Sequence, residues 1–599
     1  MEFEQKAEEK KMSMSKNIAR LAVTAGLTAA LSFGGVMAPV TMAFAAEGGS
    51  TVMFDCGDYA GSTIYKGIKI FKANVTTTNG TKTASNIGWG SSEVKTAVVA
   101  AIKEKDPNYT SENAQDAADW LNEHNKDADQ TDSNTRVNSG HVLSVIASKL
   151  EKTSVWTKTS AGSSSLTGLD AGYWLFLTDT AGKPAGKSTD AFTSPVYTVI
   201  DGTSATTVEP KKSVPTVEKK VLDDSKVTGV AITGEDEANW KDAADSQIGQ
   251  VVNYKLTGEI ADNYASYDSY SYKFKDTLEK GLDFVDESLS VYALNGDEYT
   301  EIAPASYGVT KPSGSSRDLV VDFSKGENGL KSATAKNGGT LTINANTKIV
   351  VFYKAKLNSS AVIAGANGKS NGNPNTVTLE YSNNPMVAGT GTSAPDTVED
   401  YTYGIKINKV DLGTEAPLAN AEFTITTKGD EKNAKEKYVA EGGTLSDTEF
   451  VHKTGDDGSI CLTGLDAGTY TVTEKKAPNG YTAVSSFEFT INPTIKDDGQ
   501  GYRLTNLEGK LDSKGQNDKV IDGLTDGKSG DYKLTKTDKS EKNADGTFNI
   551  TVGDTKQVGL PLTGLNGVTF TWIAGGAVLC IGVAHLIRSR KQAEESEQE

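Results

Sequence analysis

Two lysines stand where strand alternation turns them inward. In Ile405-Lys406-Ile407-Asn408-Lys409-Val410-Asp411, period-two geometry puts Ile405, Ile407 and Lys409 on one face, so burying the isoleucines buries that lysine too. Val217-Glu218-Lys219-Lys220-Val221 repeats the pattern, with Lys219 in phase with Val217 and Val221. An ammonium removed from water is disfavoured and its pKa falls, while the same surroundings raise that of a neighbouring carboxyl. The product is a neutral amine beside a protonated acid. Such an amine can attack a side-chain carbonyl, and the acid can donate to the developing oxyanion and move protons. Folded strands hold the groups at high effective molarity, so no external enzyme is required.

Other chemistries find little support. The histidines His124, His141, His452 and His585 form no HExxH or close pair, and Cys56, Cys461 and Cys580 show no CxxC and no framework spacing, so neither a metal site nor a disulfide scaffold is expected. No cofactor motif, catalytic triad or cleft-bound carboxylate pair is evident. A formal net charge of -18 repels phosphate backbones, and no basic stripe is present, which excludes nucleic acid as a partner.

The elements that must position the lysines are framed by two informative ends. Lys10, Lys11, Lys16 and Arg20 precede an apolar run from Leu21 to about Val40, then Ala43-Phe44-Ala45. This reads as a signal peptide over 1–45, with Met12 and Met14 open as alternative starts. At the other end, Leu560-Pro561-Leu562-Thr563-Gly564 is followed by an apolar stretch from Val568 to Ile587 and then Arg588, Arg590 and Lys591. About 20 apolar residues span a bilayer, and the basic cluster stays on the cytoplasmic side. The 559–599 segment resembles the LPxTG sorting signal of sortase substrates. The resemblance implies that a sortase cysteine cleaves between Thr563 and Gly564, holds Thr563 as a thioester and passes it to an amine.

Between the ends, 599 residues exceed one core, so several domains in series are expected. Leu166-Thr167-Gly168-Leu169-Asp170-Ala171-Gly172 recurs letter for letter as Leu462 to Gly468, predicting one tight turn that feeds a strand in two homologous β-sandwiches. Proline-bearing linkers near 209–215 and 383–395 set domains at 46–212, 213–400 and 401–558. The first combines strands with amphipathic helices near 94–105, 113–123 and 142–150. The middle carries alternating strands at 251–256, 271–274, 348–355 and 376–381. The expected fold class is mainly β: three tandem Ig-like sandwiches, the first with a helical insertion, between a signal peptide and a C-terminal transmembrane helix.

In the third region Ile405 to Asp411, Pro417-Leu418-Ala419-Asn420-Ala421-Glu422-Phe423, Gly468-Thr469-Tyr470-Thr471-Val472-Thr473-Glu474 and Ala477-Pro478-Asn479-Gly480-Tyr481 resemble the Cna B-type domains of Gram-positive pilins. The resemblance places Glu474 in the family's E-box and implies an amide between Lys409 and an Asn or Asp on the last strand. Asn506 and Asp554 both lie in phase with aliphatic neighbours. The family's placement of the acceptor shortly before the sorting motif favours Asp554 and makes 507–545 a polar insertion. The middle region resembles a second crosslinked domain, with Lys219 paired by parity to Asn375 and Asp276 at the position of the catalytic carboxyl. In the first region Thr178 replaces the acid, and no crosslink is expected. Val208-Glu209-Pro210-Lys211 resembles the pilin motif ending in Pro-Lys, with Glu209 in place of the usual aromatic. Lys211 is therefore the expected acceptor of Thr563, with Lys212 as alternative.

The resemblance implies a sortase-assembled backbone pilin: a non-enzymatic shaft subunit joined to identical subunits and to peptidoglycan on the cell surface. Pilin-type and housekeeping sortases, minor pilins and a host surface ligand are the further partners it suggests. The alternative is a singly displayed LPxTG-anchored adhesin.

Overall fold

The computed structural model describes residues 49–557 except 56, 79–80, 125–136, 160–163, 209, 211, 223–229, 365–371, 429–434, 498–501, 513–520 and 525–546. The leader, Lys211, and the LPLTG motif from Leu560 to Gly564 with its apolar tail lie outside the described residues. Among the described residues, no helix is long and apolar enough to cross a membrane.

The chain is mainly β, with three α-helices among the described residues, all in the N-terminal part. There, Thr81–Trp89, Ile64–Thr78, Gly172–Thr180 and Val196–Ile200 form the principal sheet in that order, and Ser165–Leu169, Ser50–Phe54 and Thr206–Val208 form a smaller one. Helix Ser92–Lys105 starts at Ser91, whose hydroxyl accepts from Val94 N at 3.2 Å, an N-cap that satisfies an otherwise orphaned donor. Its Val94, Val98, Ala101 and Ile102 are buried at i, i+4, i+7 and i+8 and share one core with Ile146 and Leu150 of helix Val142–Glu151. Strand Gly172–Thr180 is buried on both faces through Leu177. Tyr173, Leu175 and Leu177 face that helical core, while Trp174 and Phe176 face the smaller sheet's core.

The middle part is a sandwich of two seven-stranded sheets. One has Val217–Leu222, Val251–Glu259, Lys348–Leu357 and Ser290–Asn295 as successive neighbours; the other has Asp396–Tyr401, Asn373–Ser382, Tyr272–Leu278 and Asp318–Asp322. Its core is rich in tyrosine, including Tyr254, Tyr267, Tyr270, Tyr272, Tyr353 and Tyr381. In the C-terminal part, Tyr403–Asp411 lies between Ser459–Leu465 and Thr547–Lys556, facing a sheet that contains Glu422–Thr427, Gly468–Lys476, Phe487–Asp497 and Tyr502–Asp512. The predicted polar insertion therefore begins later than expected, because residues through Asp512 continue a strand and Ile521–Leu524 pairs with Thr547–Lys556.

The repeated heptad makes the same turn twice. Gly168 and Gly464 sit at φ +69° and +81°, a left-handed conformation that glycine adopts without steric cost. In each copy an aromatic two residues past the heptad closes it, Trp174 Nε1 donating to Asp170 O at 3.0 Å and Tyr470 Oη to Asp466 O at 2.8 Å. The second copy also forms a joint. Ile248 N donates to Gly464 O at 2.9 Å, Asp466 N donates to Gln247 Oε1 at 3.2 Å, and a Cβ on Gly464 would lie 2.1 Å from Ile248 Cδ1. The other joint is knitted by Phe192 N donating to Asn383 O at 2.6 Å and Thr189 N to Thr392 O at 2.8 Å, with Met386 inserted into the first helical core.

Candidate functional sites: two buried lysine clusters

Strand Val217–Leu222 buries Val217, Lys219 and Val221 and exposes Glu218, the alternation read from its residues. Lys219 faces the opposite sheet, where Asp276 pairs with Val377 and Leu278 with Asn375. Asp276 and Asn375 thus stand two positions apart on adjacent strands and share a face. Lys219 Nζ lies 2.5 Å from Asp276 Oδ1 and donates to Tyr353 Oη at 3.0 Å. Asn375 Nδ2 donates to the same hydroxyl at 2.6 Å. Tyr254 and Tyr353 stack with centroids 5.3 Å apart, and both rings flank the lysine nitrogen within 5.4 Å. Lys219, Asp276, Tyr353 and Asn375 are all buried. Burial pulls the Lys219 amine down to about 8 against the opposing pull of the Asp276 charge. It also raises the Asp276 carboxyl, against Lys219 and a hydrogen bond with Tyr353. Both shifts favour the neutral amine and the protonated acid.

In the C-terminal part the acceptor lies beside the lysine instead of opposite it. Tyr403–Asp411 and Thr547–Lys556 run parallel, with Lys409 opposite Val552 and Asp411 opposite Asp554. Lys409 Nζ forms an ion pair with Asp554 Oδ1, and Glu474, from the facing sheet, brings Oε2 to 3.0 Å from the same nitrogen. Glu474 Oε2 also accepts from Val484 N at 2.8 Å. All three side chains are buried. Burial, opposed by Lys409 and reinforced by the Glu474 charge, pushes the Asp554 carboxyl up to about 6. Among the described residues, Glu474 Oε1 and Asp554 Oδ2 are buried and have no hydrogen-bond partner, an arrangement relieved when the Asp554 carboxyl carries a proton.

Asn506 is not part of this cluster. It lies opposite Thr494 at the edge of the facing sheet, where a bulge between Thr494 and Ile495 shifts the register. The inward phase moves from Leu504 to Leu507, as an extra residue in a strand requires, and Asn506 Nδ2 donates to Glu508 Oε1 at 2.8 Å. Thr178 is buried and accepts from Thr193 N at 3.0 Å. Lys212 is ion-paired with the buried Asp190, which also accepts from Thr63 Oγ1 at 2.7 Å.

Tyr353 and two further buried lysines are not anticipated by the sequence. Tyr353 is in phase with Ile349, Val351 and Ala355, so its inward orientation was legible, but its meeting with Lys219 depends on tertiary pairing. Lys66 and Lys255 are buried as well, Lys66 lying 2.8 Å from Glu151 Oε1 and 3.8 Å from Asp179 Oδ1, with Trp156 4.8 Å away. The Lys66 strand is covered by helices as well as by strands, and that cover was not predicted in detail.

Residues 403–506 match the SpaA family, prealbumin-like fold domain. The chain is similar to the Trypsin-resistant surface T6 protein of Streptococcus pyogenes serotype M6, at 25% identity over 429 residues, 64% of this chain and 70% of that protein. Among solved structures, the T6 backbone pilin of serotype M6 Streptococcus pyogenes matches at 17% identity and TM-score 0.46, over 85% of this chain and 99% of that one. The full-length major pilin SpaD of Corynebacterium diphtheriae matches at 16% identity and TM-score 0.43, over 86% and 99%.

Proposed function

We propose that this chain is the shaft-forming subunit of a covalent pilus on the surface of a Gram-positive bacterium, a structural protein and not an enzyme acting on an external substrate. The observation that carries the reading is the pair of wholly buried lysines, each held against a carboxyl group inside a β-sandwich. A buried lysine-carboxylate pair is a poor investment as an ion pair, because desolvation offsets most of the attraction. As the precursor of an amide, the same arrangement is productive. Similarity to the surface T6 protein across most of the chain supports the same reading.

In this account three domains, 46–212, 213–400 and 401–558, form a rod stiffened by Lys219–Asn375 and Lys409–Asp554 amides, with Asp276 and Glu474 as the catalytic acids. After export a sortase cuts at Thr563, and Lys211 of the next subunit takes the acyl group. Lys212 is the less suited nucleophile, since its amine is already engaged by Asp190. A housekeeping sortase attaches the finished fibre to peptidoglycan. The test is co-expression of the full chain with pilin-type sortase, followed by boiling in detergent. A ladder of high-mass species, lost in Thr563→Ala and Lys211→Ala, is expected. A single wall-linked band with sortase present would instead establish the singly displayed adhesin.

A further inference from the structure

Among the described residues, the middle cluster contains a group that the C-terminal cluster lacks. Tyr353 Oη accepts from the attacking nitrogen, Lys219 Nζ, at 3.0 Å and from Asn375 Nδ2, the nitrogen that must leave, at 2.6 Å. At the C-terminal cluster the aromatic ring near the amine is Phe423, 5.6 Å away, which carries no hydroxyl. The chemical difference between the acceptors matches this contrast. Asp554 in its acid form loses water, whereas a carboxamide loses ammonia, and an amide nitrogen departs only after it gains a proton.

Resting on the Lys219–Asn375 amide proposed above, we infer that Tyr353 is a catalytic residue of that bond, its hydroxyl relaying a proton from Lys219 Nζ to Asn375 Nδ2. The neutral amine adds to Asn375 Cγ and forms the new C–N bond. As the tetrahedral intermediate collapses, the phenol gives its proton to Nδ2 and takes one from the former lysine nitrogen. The C–Nδ2 bond breaks, ammonia leaves and the phenol is regenerated. One amine and one carboxamide become one secondary amide and one ammonia, with no oxidant or reductant. Among the described residues, Asn375 Oδ1 and Asp276 Oδ2 are both buried without a hydrogen-bond partner, and they belong to side chains on one face of adjacent strands. A protonated Asp276 aimed at that carbonyl satisfies both and stabilises the oxyanion. Tyr353 then handles nitrogen-to-nitrogen transfer while Asp276 handles the oxygen.

The experiment follows amide formation in the full chain after pulsed cell-free synthesis, quantifying the joined Lys219 and Asn375 tryptic peptides against time. Wild type, Tyr353→Phe, Asn375→Asp and the double variant are compared, with the Lys409–Asp554 peptide pair as internal control. Tyr353→Phe is expected to slow the Lys219 bond at least about tenfold in the Asn375 background, to leave the Lys409 bond unchanged and to cost less than about threefold in the Asn375→Asp background, where water leaves. An equal loss in both backgrounds would mark Tyr353 as a packing residue and overturn the relay, as would no loss in either. A wild-type chain with no joined Lys219–Asn375 peptide would remove the amide itself, a result distinct from either of these.

Discussion

The middle and C-terminal clusters bring a buried lysine to a carboxyl by different geometry. In the middle sandwich, Lys219 crosses the core to an asparagine and a carboxyl on the opposite sheet. In the C-terminal sandwich, Lys409 and Asp554 stand side by side on parallel strands of one sheet, and only Glu474 comes from across the core. A bond of the first kind would tie the two sheets together, and a bond of the second kind would tie the first strand to the last. What the two share is a fully buried amine with a carboxyl within 3.0 Å. Burial, not strand arrangement, is therefore the common element of the proposed reaction.

The largest expected effect breaks one site and spares the other. Glu474→Gln should abolish the Lys409–Asp554 bond and leave Lys219–Asn375 intact, and Asp276→Asn should do the reverse, as read by the presence of each joined peptide pair. Each lost bond opens a loop of more than about 100 residues, which by the chain-entropy argument costs roughly 4–5 kcal/mol. Thermal unfolding of the variants should register it as an earlier, separate transition of the affected sandwich.

A second contrast is in pH. Asp554, pushed up to about 6, accepts an amine only while protonated, because a carboxylate is not an electrophile. As pH rises above about 6 the loss of this acid form offsets the gain of neutral amine, so its bond should hold a nearly constant rate. Asn375 has no such proton to lose, and Lys219, pulled down to about 8, gains neutral amine over the same interval. While burial keeps Asp276 protonated, the Lys219 bond should therefore quicken as pH rises towards 8. Pulse-labelled chains folded at several pH values would show the two bonds diverging; parallel profiles would mean that one shared step limits both.

The two heptads provide a smaller contrast. Gly464→Ala places a methyl against Ile248 at a left-handed backbone position and should cost about 1–3 kcal/mol, loosening the joint between the middle and C-terminal sandwiches in hydrogen exchange. Gly168→Ala meets no neighbour within 4 Å and should cost only the backbone term, about 1 kcal/mol. Asn506→Ala should be smallest, within about 0.5 kcal/mol and without effect on either joined peptide.

Much of this was readable from residue order. Alternation alone turned Lys219 and Lys409 inward, because a strand's side chains obey a period of two whatever its partners are. The same rule placed Asn375 on a buried face and Asp554 in a buried phase. It failed for Asn506, where a bulge resets the phase, a feature the strand's own residues do not announce. It was also silent on Tyr353, whose role arises from two sheets meeting, and on the early strands 502–512 and 521–524 inside the expected insertion, where polar residues masked the pairing. The helices of the first part were visible because their apolar spacing recurs over several turns, whereas the Lys66–Glu151 pair joins a strand to the end of a helix and left no local pattern.

The central claim is that both buried lysines end as amides. Peptide mass spectrometry of the full chain tests it directly. The account predicts a Lys219–Asn375 pair lighter by one ammonia and a Lys409–Asp554 pair lighter by one water, each absent from its own lysine-to-alanine variant. Unjoined peptides of full mass at both sites would contradict it and leave two buried ion pairs in their place.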